Sequence, residues 1–183
     1  MTKKVLLVGL GMQGSAALYD LVHSTDVSVV VADNRPDLDG CLSRYPSERV
    51  SGRNLDARDE AAVSELMRQA DVVVEALPGN FTLALSRLAA ECGVSLVNSM
   101  YGLSPGEKDP EKIASIRRQL ADIDAKARQK GLTILTEFGL DPGLDLVLAA
   151  RAIGELDEVR ECHSYGAGLP APGASSNPLR YKF

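Results

Sequence analysis

The fold of this 183-residue chain follows from ten residues near its beginning, Val5-Leu6-Leu7-Val8-Gly9-Leu10-Gly11-Met12-Gln13-Gly14. The four apolar residues are typical of a buried strand, and the pattern G-x-G-x-x-G behind them opens a helical pattern. In such a unit the first glycine permits a tight turn, the second lets the backbone approach a pyrophosphate, and the third lets the helix pack against the strand. The free N–H groups at the positive end of the helix favour phosphate. A glycine-rich turn without a ligand is the alternative, but the strand and helix around the motif favour a dinucleotide bound at Gly9, Gly11, Met12, Gln13 and Gly14.

Short apolar runs alternate with helical patterns along most of the chain. The later runs are Val27–Ala32, a weaker one near Val50–Leu55, Asp71–Ala76, Val94–Asn98 and Leu132–Glu137. Helical patterns separate them, including one that Asp56 would cap and one that begins at Asp109-Pro110 and ends at Gly131. Strands that are apolar throughout and separated by helices predict a parallel sheet covered on both faces. We therefore predict an α/β fold built on a Rossmann-type doubly wound parallel sheet.

The pattern changes after Glu137. Residues 138–143 form a turn-rich junction, after which a short helix is predicted for Asp145–Ile153 and a strand for Val159–Tyr165. At about 150 residues per domain, the chain is a few dozen residues longer than one domain. We predict a dinucleotide-binding domain over residues 1–137 and the beginning of a second, α+β substrate domain over residues 138–183. We expect the chain to be a fragment or ordered part of a longer protein.

The type of dinucleotide depends on the end of the second predicted strand. Asp33 lies 19 residues after Gly14, and a carboxylate at about this spacing accepts hydrogen bonds from the adenosine ribose and would repel a 2′-phosphate. NAD is therefore favoured, while Arg35 leaves NADP open because a guanidinium can pair with a 2′-phosphate. Loops at the carboxyl ends of the strands line the cofactor crevice. The further predicted contacts in these loops are Asn34, Arg35, Asp56, Ala76, Leu77 and Pro78.

Composition argues against several other classes of protein. The chain has 20 lysines and arginines against 25 aspartates and glutamates, a formal net charge of −5, whereas nucleic-acid and anionic-membrane binders need clustered positive charge. No apolar run approaches the length of a membrane span, and Gly9 interrupts the apolar run behind Lys3-Lys4, so we expect no targeting signal. Three scattered cysteines and two histidines predict neither a disulfide framework nor a metal site, and cysteines without a disulfide framework favour a reducing, cytoplasmic location.

Three segments of the second half carry a resemblance to a known family. They are Glu137-Phe138-Gly139-Leu140-Asp141-Pro142-Gly143-Leu144-Asp145, then Ser164-Tyr165-Gly166-Ala167-Gly168-Leu169-Pro170-Ala171-Pro172, and Asn177-Pro178-Leu179-Arg180-Tyr181-Lys182-Phe183. Together with the glycine loop, they resemble the saccharopine dehydrogenase family, in particular its glutamate-forming saccharopine reductases. The chain departs from the family pattern at four positions, and these departures bear on the substrate more than on the reaction. Where the reductases often have Cys, Gly, Glu and His, this chain has, in the same order, Gly166, Ala167, Gly173 and Leu146.

The resemblance implies an NAD(P)-dependent oxidoreductase that transfers hydride at the C–N bond of an amino-acid-derived secondary amine, as in the conversion of saccharopine to glutamate plus aminoadipate semialdehyde, or the reverse. It also implies site residues. Asp141 in the D-P-G turn would bind the substrate amine or relay a proton, or else merely cap the following helix. Tyr101 matches a tyrosine of the family and is, with Asp141, a candidate catalytic residue; its hydroxyl could also bind a substrate carboxylate, or else the side chain merely packs half-buried. Apart from the resemblance, Arg180 could clamp a substrate carboxylate, or else be a solvated strand residue. We interpret His163 and His23 as structural.

Three alternatives stay open at this stage. An L-lysine 6-dehydrogenase and a carboxynorspermidine-type dehydrogenase belong to the same class of enzyme. A dinucleotide-sensing domain without turnover belongs to another class. For the enzyme we expect a small-molecule amino-acid substrate and, by analogy with other dehydrogenases, a homodimer.

Overall fold

The computed structural model describes residues 2–141 and 143–163. The chain divides into two compact units, Met1–Gly139 and Leu140–Phe183. The strands of the first unit are β1 (Lys4–Val8), β2 (Ser28–Asp33), β3 (Val50–Asn54), β4 (Val72–Glu75), β5 (Ser95–Asn98) and β6 (Ile134–Leu135). Its helices are α1 (Met12–Ser24), α2 (Leu38–Leu42), α3 (Glu60–Met67), α4 (Thr82–Cys92) and α5 (Pro110–Lys130), with a 3-10 turn at Gly79–Phe81 ahead of α4.

The six strands form one sheet in the order β3-β2-β1-β4-β5-β6, and every neighbouring pair is parallel. The chain thus builds outward from β1 in one direction and, after β3, returns to build outward in the other. The predicted doubly wound parallel sheet is confirmed. A crevice opens where the strand order reverses, at the carboxyl ends of β1 and β4, and the loops after these strands face it.

Each face of the sheet has its own hydrophobic core, because strand side chains alternate between the two faces. On one face α1 and α2 pack on β1 and β2, with Leu7, Leu18 and Val31 almost fully buried. On the other face α3 and α4 pack on β1, β4 and β5, around Met67 and Leu85. Burial on both faces explains why the strands read as continuous apolar runs.

The strand predicted for Leu132–Glu137 is shorter than expected, because only Ile134–Leu135 pair with β5. At its start, the N–H of Leu132 donates to the Ala127 carbonyl at 2.9 Å and thereby belongs to the end of α5. At its end, Glu137 has a φ of 64°, a left-handed conformation that turns the chain out of the sheet. The residues at both ends of the apolar run therefore form turns and do not extend the strand.

The predicted cap of α3 is wrong. Asp59, not Asp56, precedes the helix, and its side chain accepts the N–H of Ala62 at 3.1 Å. Asp56 instead pairs with Arg58 in the turn before the helix. Two aspartates three positions apart offer the same capping chemistry, so local sequence does not distinguish them. In α5, by contrast, the predicted Asp109 cap, Pro110 start and Gly131 end are all confirmed.

The second unit contains one helix in its described part, α6 (Leu144–Gly154), which agrees with the helix predicted over Asp145–Ile153. The strand predicted from Val159 is wrong for residues 159–163, which are not in a strand. Its last residues, and Arg180 with the two motifs around it, lie outside the described residues. Among residues 2–141 and 143–163, no helix is long and apolar enough to cross a membrane.

Candidate functional site

The glycine loop joins β1 to α1 at the point where the strand order reverses. Gly9 has a φ of 97°, and a Cβ there would lie 2.8 Å from the Ala76 carbonyl oxygen. A Cβ on Gly14 would overlap the Gly9 carbonyl oxygen, whereas a Cβ on Gly11 would meet no atom within 4 Å. Gly9 and Gly14 are thus required by the fold itself. Within the described part of the chain nothing packs against Gly11, which leaves room for a ligand at this position.

The start of α1 is suited to an anion. Gly11 is the N-cap residue, no side chain caps the helix, and its first turn contains no acidic residue. The Met12 side chain is 94% exposed and does not cover the helix end. Gln13 extends toward β5, where its Oε1 accepts the Ser99 hydroxyl at 3.0 Å. The N–H groups of the first turn and the positive end of the helix dipole therefore face an open site.

Asp33 is held by the backbone on both of its oxygens. Its Oδ2 accepts the N–H of Leu10 at 2.6 Å, and its Oδ1 accepts the N–H of Arg35 at 2.8 Å. Each carboxylate oxygen can accept a second hydrogen bond, so the carboxylate remains able to receive ribose hydroxyls. Its first role, however, is to fix the glycine loop against the end of β2.

Arg35 lies beside the glycine loop. Its Nη1 donates to the Leu10 carbonyl at 3.1 Å, and its Nε and Nη2 donate to the Asp37 carboxylate at 2.7 and 3.2 Å. This two-bond contact raises the pKa of Arg35 and lowers the pKa of Asp37. Asn34 next to it is exposed. A guanidinium that already has an acidic partner would have to share its charge with any 2′-phosphate.

Asp56 lies beyond β3, two residues after the strand ends. Its carboxylate accepts the Arg58 Nη2 at 2.6 Å and the Arg58 N–H at 2.9 Å. These hydrogen bonds lower the pKa of Asp56 to about 2. The side chain thus has a local partner, and its predicted contact with a dinucleotide stays a prediction.

The loop after β4 forms a wall of the crevice. The N–H of Ala76 donates to the Val8 carbonyl at 2.8 Å, and the Ala76 carbonyl and the Leu77 side chain lie against Gly9. Pro78 starts the 3-10 turn that leads into α4. Beside this loop, a cavity of about 450 Å³ is lined by residues of α1, by the ends of β4 and β5, and by Phe138. The structure therefore brings the predicted residues of the glycine loop and of the loop after β4 together.

Two buried polar residues at the ends of β4 and β5 are absent from the sequence-based predictions. Glu75 is 2% exposed and Asn98 is 3% exposed, and Asn98 Nδ2 donates to Glu75 Oε2 at 2.7 Å. Burial raises the pKa of Glu75 to about 7, although hydrogen bonds from the Leu77 N–H and from Asn98, and the nearby Thr82 hydroxyl, oppose this effect. The Thr82 hydroxyl lies near the carboxylate but has no hydrogen-bond partner among the described residues. The available signal was a charged or amide residue that ends an otherwise apolar strand.

The three predicted substrate residues are described separately, because Tyr101 belongs to the first unit, Asp141 to the second, and Arg180 lies outside the described residues. Tyr101 lines a cavity of about 460 Å³ between the end of β5 and the starts of α4 and α5. The ion pair of Lys112 with Glu107 lies at the same cavity. Asp141 is an exposed residue of the turn before α6, where Asp145, not Asp141, accepts the N–H of Gly143 at 2.8 Å.

The two histidines have local partners. His23 Nδ1 lies 2.7 Å from the Tyr19 carbonyl oxygen, and its ring stacks on the Tyr19 ring at 4.0 Å between centroids. His163 Nε2 lies 3.0 Å from Glu161 Oε2. Both contacts fit the structural interpretation of these residues.

A doubly wound parallel sheet with an uncapped glycine-loop helix at its switch point defines a dinucleotide-binding domain of the Rossmann type. Comparison with known protein families identifies the family to which this domain belongs. Residues 5–135 match the family model described as "Saccharopine dehydrogenase NADP binding domain", and the chain belongs to this family.

Several curated relatives match the chain along its whole length. The saccharopine dehydrogenase (NADP(+), L-glutamate-forming) of Saccharomyces cerevisiae is 29% identical over 187 residues, which is 100% of this chain and 38% of the relative. The mitochondrial alpha-aminoadipic semialdehyde synthase of Mus musculus is 32% identical over 99% of this chain and 18% of the relative. The chain thus spans well under half the length of these relatives.

Solved structures show the same fold. The apo saccharopine dehydrogenase (L-Glu forming) of Saccharomyces cerevisiae superposes with a TM-score of 0.69 at 28% identity, over 99% of this chain and 38% of the yeast chain. The WlbA dehydrogenase of Thermus thermophilus, solved in complex with NAD and alpha-ketoglutarate, reaches a TM-score of 0.56 at 17% identity over 85% of this chain and 48% of that one. The second match concerns the fold alone.

Proposed function

We propose that the first unit binds a nicotinamide adenine dinucleotide and serves an oxidoreductase that acts at the C–N bond of an amino-acid-derived secondary amine. The observation that carries the proposal is the glycine loop, in which Gly9 and Gly14 are required by the fold and Gly11 is open. A dinucleotide explains the open position and the uncapped helix together. Membership of the saccharopine dehydrogenase family supports the type of reaction.

The residues divide the work of binding. The N–H groups at the start of α1 would hold the pyrophosphate, and Asp33 would receive the adenosine ribose. Ala76 and Leu77 would border the nicotinamide half, because dinucleotides lie across the crevice toward β4 and β5. When bound, the nicotinamide supplies a hydride acceptor for the carbon that carries nitrogen. Tyr101 and Asp141 stay candidates for contacts to substrate, and Arg180 for its carboxylate.

We further propose NAD rather than NADP as the preferred dinucleotide, unlike the NADP(+) in the names of the yeast relative and of the family. Asp33 places a carboxylate beside the glycine loop, where it repels a 2′-phosphate. Arg35 offers the only described guanidinium contact to this loop, and Asp37 already neutralises it. The same carboxylate supports L-lysine 6-dehydrogenase as the second candidate among related enzymes.

Titration of NADH and NADPH, followed by nicotinamide fluorescence, tests the choice of dinucleotide. We expect tighter binding of NADH, a loss of about tenfold in NADH affinity for Asp33→Asn, and a change of less than about twofold for the control Arg35→Gln. If NADPH binds more tightly and Arg35→Gln removes that advantage, the domain is NADP-specific. If neither binds, the dinucleotide proposal is refuted.

The substrate class needs a separate assay. Saccharopine, lysine and carboxynorspermidine are each offered with NAD to the full-length gene product, and reduction of NAD is recorded by absorbance. We expect turnover with saccharopine. Turnover with lysine alone would identify the second candidate instead, and dinucleotide binding without turnover of any of the three would favour a sensing domain.

A further inference from the structure

The buried pair Glu75 and Asn98 joins two loops of the crevice. Glu75 Oε1 accepts the N–H of Leu77 at 2.9 Å, and Asn98 Oδ1 accepts the N–H of Met100 at 3.2 Å. The bond from Asn98 Nδ2 to Glu75 Oε2 at 2.7 Å connects the two side chains. Each residue therefore shapes the loop that follows its own strand, and the link between them holds both loops at one spacing.

Both loops contact the glycine loop or the helix that follows it. Leu77 donates its N–H to Glu75, and its side chain packs against Gly9. The loop after β5 contains Ser99, whose hydroxyl donates to Gln13 at the start of α1. The pair thus lies behind the loops that border the β4 and β5 side of the crevice, while the adenosine side is built by β1 and β2.

We propose that Glu75 and Asn98 are positioning residues that set the two crevice loops for the nicotinamide half of the dinucleotide. The inference rests on the proposed dinucleotide binding and goes beyond it, because both side chains are almost fully buried. Their effect would pass through the positions of residues 76–78 and 99–100. Binding of the adenosine half, at the other side of the switch point, would not depend on these two residues.

The pairing of donors and acceptors makes the proposal testable by exchange. In Glu75→Gln the new amide group faces the Asn98 amide, and turning either amide leaves one backbone N–H unpaired. The exchange variant, Glu75→Gln with Asn98→Asp, restores all three hydrogen bonds. Only the hydrogen bond between the two side chains changes its donor and acceptor. The amide introduced at position 75 would then donate to the carboxylate introduced at position 98, and both backbone N–H groups keep an acceptor.

The experiment compares NADH with ADP-ribose, which lacks the nicotinamide. Both are titrated at pH 8, where the Glu75 carboxylate is ionised, into the full chain by calorimetry. For Glu75→Gln we expect NADH affinity to fall about fivefold, the value of one hydrogen bond, and ADP-ribose affinity to change by less than about twofold. The exchange variant should return NADH affinity to within about twofold of the wild type. Glu65→Gln, the same change at an exposed site of α3, is the matched control.

The outcomes separate the two proposals. A wild type that binds neither ligand refutes the dinucleotide site. If the wild type binds both ligands, two results for Glu75→Gln refute the positioning pair alone. One is affinities equal to those of the wild type, and the other is an equal loss of affinity for NADH and ADP-ribose. If Glu75→Gln does not fold, the exchange variant decides, because failure of that variant to fold or to bind NADH also overturns the pair.

Discussion

Single polar residues at the carboxyl ends of strands organise the crevice. Asp33, Glu75 and Asn98 end β2, β4 and β5, and each accepts the backbone N–H two positions further on, at 2.8, 2.9 and 3.2 Å. Such a side chain replaces the ladder partner that the backbone loses when it leaves the sheet. The same residue type therefore ends the strand, turns the chain and shapes the loop that faces a ligand.

Glu75 should make stability depend on pH. Its pKa rises from 4.5 to about 7 on folding, so the folded state holds this proton more tightly than the unfolded state. The resulting stability is fully present below pH 4.5 and is lost as the pH rises through 7, which amounts to about 3 kcal/mol. Urea unfolding at several pH values should show the wild type losing this amount relative to Glu75→Gln. A difference between the wild type and Glu75→Gln that stays constant with pH would contradict the assignment.

Two glycines of the loop should respond differently to alanine. Gly14→Ala forces the new methyl group into the Gly9 carbonyl and should lower the free energy of unfolding by about 1–3 kcal/mol. Gly11→Ala meets open space, so stability should stay within about 0.5 kcal/mol of the wild type while NADH binding weakens. Thermal unfolding and NADH titration of both variants check this. Unchanged NADH affinity in Gly11→Ala would mean that no phosphate approaches the loop there.

At the scale of the elements, the residues that start or end a helix predict its bounds when only one such residue is present at each end. The start and end of α5 are predictable because Asp109, Pro110 and Gly131 each act on their own helix end. The start of α3 was misplaced because two aspartates compete for one cap. β6 is shorter than predicted because the end of α5 and the turn at Glu137 use its outer residues.

The Asp109 cap gives a direct test at this scale. Its side chain accepts the N–H of Glu111 at 2.9 Å and of Lys112 at 3.3 Å. Asp109→Ala should therefore lower the free energy of unfolding by about 1 kcal/mol. Asp122→Ala, at an exposed position in the middle of the same helix, should leave stability unchanged or slightly higher, since alanine is the better helix former. Equal losses in both variants would show that the cap does not stabilise the helix.

At the scale of the whole molecule, the first unit contains both hydrophobic cores. The residues of the two cores lie between Val5 and Ile134. In the second unit α6 has no buried residue, and Leu146, Val147 and Leu148 of this helix are more than half exposed. Within the described residues, both hydrophobic cores therefore belong to the first unit.

A shortened chain of residues 1–139 tests the independence of the first unit. Because both cores and the glycine loop lie within it, we expect one cooperative thermal transition, followed by circular dichroism, and binding of NADH. The full chain serves as the reference for both measurements. A gradual transition without a midpoint would show that the first unit does not fold alone.

The sequence by itself determined the parallel sheet, the glycine loop and both ends of α5. These features depend on periodicity and on residues close together in the chain, such as Gly9 to Gly14. Only the tertiary structure decided the contacts of Asp33 with Leu10 and of Glu75 with Asn98, each 23 residues apart. Strand order brings these partners side by side, and no local pattern contains that order. A charged residue at the end of an apolar strand indicates that a partner exists, whereas the packing of β4 against β5 determines that the partner is Asn98.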